Sequence, residues 1–161
     1  MQKFFIILLF ALACFFIENI LFQLFGIWFK PNLLLILIVF FNLFRGIRYG
    51  ILAALMGGFL LDSFSVRALG LNTFSFVVCA YLASLLKIFI YQPGSQASRI
   101  LLVFFVAVIN LTIQYVLHVL TTPLDFSVAF ARVIVPEILI TTVMAAYVFE
   151  RLKRCALRLF A

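Results

Sequence analysis

Long uninterrupted apolar runs constrain this chain more than any other feature of its sequence. The first run, Phe4 to Phe25, is long enough to cross the roughly 30 Å hydrocarbon core of a bilayer as a helix. Of the 161 residues, 68% are apolar and only 11% are charged, whereas soluble domains are about half apolar and about a quarter charged. The composition therefore excludes a soluble enzyme, a disordered chain and a disulfide scaffold, and it indicates an integral membrane protein.

Turn and charge signals divide the apolar sequence into six predicted spans. They cover about residues 4–25, 32–44, 49–61, 71–91, 100–120 and 131–149. These runs have lengths typical of helices rather than of barrel strands. The sequence therefore predicts an all-α fold, an integral membrane six-helix bundle that forms one transmembrane domain over residues 1–161.

The second and third spans are short, at thirteen residues each, which is also a length typical of a re-entrant hairpin. A hairpin entering from the outer face would leave Arg45 and Arg48 at bilayer depth, at a cost of about 2.5–3.5 kcal/mol each. Full crossing with local thinning of the bilayer costs only fractions of a kcal/mol per Å of mismatch. We therefore expect six crossings.

Basic residues stand at the ends of the apolar runs, where they indicate membrane topology rather than nucleic-acid binding. With the N-terminus in the cytoplasm, nine of the twelve Lys and Arg residues lie on the inner side. The inner residues are Lys3, Arg45, Arg48, Lys87, Arg99, Arg151, Lys153, Arg154 and Arg158, and the outer ones are Lys30, Arg67 and Arg132. This bias predicts a multi-pass protein with both termini in the cytoplasm.

Small residues recur at every fourth position from the start of the third span. This small-residue ladder consists of Gly46, Gly50, Ala54 and Gly58, with Gly57 beside it. Such spacing puts a smooth groove on one helix face, where another helix backbone approaches closely. The approaching helix belongs either to this bundle or to a partner protein, and the sequence alone leaves both possibilities open.

Several polar residues interrupt the apolar spans. They are Glu18, Asn110, Gln114, His118 and Glu137. Asn110, Gln114 and His118 follow one another at four-residue spacing and so share one helix face. Such residues form either a functional site or hydrogen bonds between helices. A single His and the separated Cys14, Cys79 and Cys155 offer no metal-ligand spacing, so we expect neither a metal nor a cofactor.

Two acidic residues at the ends of spans, Asp62 and Asp125, raise the alternative of an intramembrane aspartic lipoprotein signal peptidase. Two carboxylates that share a proton can activate water. The motifs of that peptidase family flank each Asp with Asn partners, which both sites lack here. No other catalytic set is present, and the sequence therefore predicts a protein that is not an enzyme.

The stretch from Arg45 to Leu71 resembles the MreD family of bacterial rod shape-determining proteins. The matching residues are Arg45-Gly46, Gly50, Gly58 through Asp62, and Leu69-Gly70-Leu71, with Pro31-Asn32-Leu33 opening the second span. Total length, six spans and a short basic tail extend the resemblance over nearly the whole chain.

This resemblance implies a non-enzymatic inner-membrane subunit of the cell-elongation complex. Family members pair with MreC, and through it with the MreB filament and the peptidoglycan synthase, a transpeptidase working with RodA. The resemblance also implies a fold similar to the substrate-binding subunit of energy-coupling-factor transporters. A vitamin-binding transporter subunit is therefore the alternative, motivated by Glu18, Gln114, His118 and Glu137, although Ala11 and Ala13 do not form the expected Ala-x-x-x-Ala motif.

Overall fold

Six helices and no strand make up the part of the chain that the computed structural model describes, residues 2–26, 31–65, 70–92, 95–121 and 127–159. The helices are α1 (Gln2–Phe25), α2 (Leu33–Arg45), α3 (Ile47–Phe64), α4 (Leu71–Ile90), α5 (Gln96–Thr121) and α6 (Ser127–Leu159). The predicted all-α class, a helical bundle of membrane type, is confirmed.

Each helix contains its predicted span or nearly all of it, and several helices extend beyond it. The largest extension is in α6, which has 33 residues and continues through the basic tail. Hydropathy marks where the apolar run ends, but Glu, Lys and Arg are good helix formers, so backbone hydrogen bonding continues past that point. Pro136 lies inside this helix.

Helix α2 lies at the centre of the bundle. Every residue from Leu33 to Leu43 is buried, and α2 contacts each of the other five helices. A helix that is apolar on all sides is expected to be buried on all sides. Its 13 residues give a length of about 20 Å, less than the thickness of the hydrocarbon core.

Within the described residues, four helices are long and apolar enough to cross a membrane. These segments are Phe4–Phe25, Ile47–Phe64, Leu71–Ile90 and Gln96–Leu117, and Leu33–Arg45 is a shorter apolar helix. The protein is therefore of the multi-pass membrane type. The six crossings and the cytoplasmic position of both termini stay predictions.

All residues of the small-residue ladder except Gly46 are buried inside the bundle. A Cβ atom on Gly50 would lie 3.0 Å from Cβ of Asn42 on α2, and one on Gly57 would lie 3.3 Å from Cδ2 of Leu34. Ala54 is fully buried as well. These buried residues bring α3 close to helices of its own chain, whereas the docking of a partner helix on the ladder stays a prediction.

Gly46 has a different role from the rest of the ladder. It is the only residue between α2 and α3, and its φ of 94° is one that side chains rarely adopt. Its N–H donates to the Asn42 carbonyl at 3.2 Å, which ends α2. A Cβ here would meet nothing within 4 Å, so Gly46 is required by backbone conformation and not by helix packing.

Gly58 makes the closest approach. A Cβ atom at this position would lie 2.4 Å from Cα of Thr73, in the first turn of α4. Real Cβ atoms do not approach backbone so closely, and the backbone of Thr73 cannot rotate away as a side chain can. Gly58 therefore sets the spacing between α3 and α4.

We expect Gly58→Ala to lower the free energy of unfolding by about 1–3 kcal/mol, because α4 must move to admit the methyl group. The matched control is Gly57→Ala, where only the end of the Leu34 side chain has to shift and Ala favours the helix by about 1 kcal/mol. Thermal unfolding in detergent measures both. Equal stability of the two variants would contradict the assigned role of Gly58.

Candidate functional site

Asp62 joins α3 to the N-terminus of α4. Its side chain is buried, with 2% of its surface exposed. Oδ1 accepts the N–H of Asn72 at 3.1 Å, and Oδ2 accepts both the N–H of Thr73 at 3.0 Å and its hydroxyl at 2.6 Å. The first amides of a helix have no partner within the helix, and a carboxylate there is also favoured by the helix dipole. Asp62 is thus a cap supplied by a neighbouring helix.

The residues of the family motif lie around this cap. Gly58 is one turn before Asp62 and admits Thr73, as described above. Gly70 precedes α4 with a φ of 97°, a backbone conformation that suits glycine, and Leu71 begins the helix. Leu69 lies outside the described residues. The described motif residues Gly58, Asp62, Gly70 and Leu71 therefore form one structural joint between α3 and α4.

The remaining motif residue, Arg45, is at a distance from this joint in the sequence. It is the last residue of α2 and is exposed. A basic side chain at the C-terminal end of a helix interacts favourably with the helix dipole, which is consistent with a structural role.

The geometry of Asp62 bears on the peptidase alternative. A catalytic aspartate pair requires two carboxylates that share a proton and reach water. Both oxygens of Asp62 accept hydrogen bonds from α4, and the side chain is buried. Asp125, the other predicted member, lies outside the described residues. The contacts of Asp62 are those of a helix cap.

Two polar residues of α5, Asn110 and Gln114, face α4. Asn110 is fully buried, and its Oδ1 accepts the hydroxyl of Ser75 at 2.6 Å, with Sγ of Cys79 at 3.7 Å. One turn further along, Nε2 of Gln114 donates to Oδ1 of Asn72 at 3.3 Å. The side chain of His118 is outside the described part of the chain. These contacts agree with hydrogen bonding between helices, the structural explanation of this polar stripe.

Two buried or partly buried acidic residues lie on other helices. Glu18 is buried on α1, one turn from Cys14, and Glu137 is partly buried on α6, directly after Pro136. Within the residues described, no group of three or more His, Cys, Asp or Glu side chains is arranged to hold a metal ion. Gln114, which a vitamin site would use, is bonded to Asn72 instead.

Asn42, which was not among the predicted site residues, links α2 to α4 through its side chain. Its Nδ2 donates to the carbonyl of Ala80 at 2.5 Å, and its Oδ1 accepts the hydroxyl of Ser84 at 2.8 Å. Nearby, Nζ of Lys87 donates to the carbonyl of Leu43 at 2.9 Å. An Asn inside an otherwise apolar run is the signal that could have identified this contact.

Asn32, one of the residues that carry the family resemblance, caps α2 and contacts α6. Its Oδ1 accepts the N–H of Leu35 at 3.0 Å and caps α2, while its own N–H donates to the hydroxyl of Thr141 on α6 at 3.0 Å. An Asn directly before an apolar run is a common helix-start signal. The link to α6 could not be read from that signal.

We expect Asp62→Ala to destabilise the protein by about 1–3 kcal/mol, because the amides of Asn72 and Thr73 lose their acceptor in a buried site. Asp62→Asn should lose less, since it keeps one acceptor oxygen. The control is the exposed neighbour in Ser63→Ala, expected within about 0.5 kcal/mol of the wild type. Thermal unfolding and amide exchange in the first turn of α4 report the effect, and a fully stable Asp62→Ala protein would contradict the cap.

Comparison with known proteins gives a family match. The family model of the rod shape-determining protein MreD matches residues 1–154 of the 161-residue chain. No curated protein and no solved structure matches the chain, so the predicted likeness to the transporter subunits stays a prediction. The family match covers nearly the whole sequence, includes every motif residue discussed above, and confirms the resemblance found from the sequence. The chain belongs to the MreD family of rod shape-determining membrane proteins.

Proposed function

We propose that this protein is a non-enzymatic scaffold subunit of the bacterial cell-elongation complex in the inner membrane. In this role it binds MreC directly and helps link the MreB filament to peptidoglycan synthesis by the transpeptidase and RodA. The observation that carries the proposal is the family match over residues 1–154. The structural observations below support a scaffold rather than a catalyst.

The described polar side chains in the bundle mainly hold helices together. Asp62 caps α4, Asn42 links α2 to α4, Asn110 binds Ser75 on α4, and Thr141 on α6 accepts the backbone N–H of Asn32. A catalytic or transport site requires polar groups directed toward a substrate. Here these four groups bond neighbouring helices instead. This arrangement supports a rigid scaffold to which other proteins bind.

The outer surface of the bundle supports a partner that contacts it within the membrane. Large apolar side chains such as Phe5, Ile88 and Phe89 are strongly exposed, as lipid-facing residues are. The connections between helices are short, and that between α2 and α3 is one residue. A single-span partner such as MreC can contact such a body helix to helix, and MreC then carries the link to the other components.

The basic end of α6 supports the cytoplasmic orientation of the C-terminus. Arg151, Lys153 and Arg154 follow the apolar part of α6, and Arg99 lies in the first turn of α5. Cytoplasmic loops of membrane proteins carry such an excess of basic residues. These residues also suit the anionic lipids of the inner leaflet, at about 1 kcal/mol for each basic residue near the surface.

The test is replacement in a rod-shaped bacterium whose own MreD protein has been depleted. We expect the wild-type chain to restore rod shape and to retain MreC when purified in mild detergent. In the same preparations, thermal shift with a vitamin panel tests the transporter alternative, and prolipoprotein processing by Asp62→Asn cells tests the peptidase alternative.

Round cells that contain normally inserted protein without bound MreC would contradict the proposal. A strong thermal shift with one vitamin would favour the transporter alternative. Loss of prolipoprotein processing in the Asp62→Asn cells, with the protein still inserted, would favour the peptidase.

A further inference from the structure

Helix α1 lies at the edge of the bundle and packs on α2 and α3. Its inward side presents Ile7, Ala11, Cys14 and Glu18, all buried. These positions alternate by four and three residues, so they form one seam along the helix. The opposite side of α1 is therefore turned away from the other helices that the structure describes.

A second seam runs along that outward side. It consists of Phe5, Leu9, Leu12, Phe16, Asn19 and Gln23, again alternating by four and three residues. All are exposed except Leu12, which is half-buried. The spacing is that of the contact positions by which two helices pack along each other. We call these six residues the outer seam of α1.

The outer seam contains two amides, Asn19 and Gln23, and Asn19 lies at a depth where lipid would otherwise surround it. Asn19 lies four to five residues past the middle of the Phe4–Phe25 segment, roughly 7 Å from the midplane and well inside the hydrocarbon. Its Nδ2 donates to the Phe15 carbonyl of its own helix at 2.9 Å. The side-chain oxygen and the second N–H remain available to a partner, and leaving them in hydrocarbon is unfavourable.

We infer that the outer seam of α1 binds the single transmembrane helix of the partner subunit, and that Asn19 and Gln23 hydrogen-bond a polar side chain on it. This inference rests on the proposed function, which supplies a single-span partner. The recognising chemistry is an Asn, Gln, Ser or Thr that faces Asn19 at the same depth in the membrane. A polar residue at one seam position sets the register between two helices, which explains an amide on an otherwise apolar surface.

Affinity for MreC in nanodiscs tests the amides. Asn19→Leu should raise the dissociation constant about three-fold and Asn19→Leu/Gln23→Leu about ten-fold, the size expected for hydrogen bonds between membrane helices. Both side chains are exposed, so folding should be unchanged. The matched control is Thr112→Val on α5, because Thr112 is also exposed and also bonds a carbonyl of its own helix. It should bind MreC like the wild type.

Photo-crosslinking tests the seam as a whole. A photoreactive residue at Phe16, 61% exposed on the seam, should give an adduct with MreC. The same residue at Ile17, 49% exposed but about 100° around the helix, should give far less. Adducts from position 16 to a second copy of this chain would overturn the inference in favour of self-association.

Different results would overturn the outer-seam inference and the proposed scaffold function. If the wild-type chain retains MreC while the amide variants bind like Thr112→Val and position 16 gives no adduct, the outer seam is overturned and the scaffold function stands. If the wild-type chain does not retain MreC, both are overturned.

Discussion

The close approach of α3 to α2 and α4 is the constraint on which the other contacts of the bundle depend. At one end of α3, Gly58 leaves no side chain between this helix and Thr73. That proximity brings the Asp62 carboxylate within hydrogen-bond distance of the α4 amides. At the other end, Gly50 lies against Asn42 of α2, and Asn42 in turn bonds α4. A larger side chain on this face of α3 would therefore disturb three helices at once.

Hydrogen bonds fix the register of these closely packed helices. The hydrocarbon core has no water to satisfy a polar group, so Asn42 and Asn110 bind α4 from two sides, while Asp62 binds its N-terminus. Apolar packing alone fixes helix register weakly, since lipid tails are as apolar as the side chains they replace. Because its polar groups bond neighbouring helices in this way, the bundle is suited to be a rigid body to which other helices bind. The outer seam of α1 differs, because its amides are directed away from the bundle.

Several structural roles could be predicted from sequence only in part. The spacing of Gly50, Gly57 and Gly58 predicts a close helix approach, but it is the same whether the other helix belongs to this chain or to a partner. Asp62 stood out as a motif residue at the end of a span, yet the amides it caps belong to residues ten and eleven positions later. Asn42 was overlooked because one amide among long apolar side chains hardly changes the hydropathy of its run.

The sequence by itself determined that this protein lies in lipid, that its fold is all-α and that it resembles the MreD family. Run length and composition require helices in lipid because only an internally hydrogen-bonded backbone is stable there, and the motif from Arg45 to Leu71 indicated the MreD family. Only the tertiary structure decided that α2 is enclosed by five helices, that Gly50, Gly57 and Gly58 face inward and that Asp62 is a cap. Each of these depends on which helices are neighbours, and local propensity and hydropathy carry no information about distant segments of the chain.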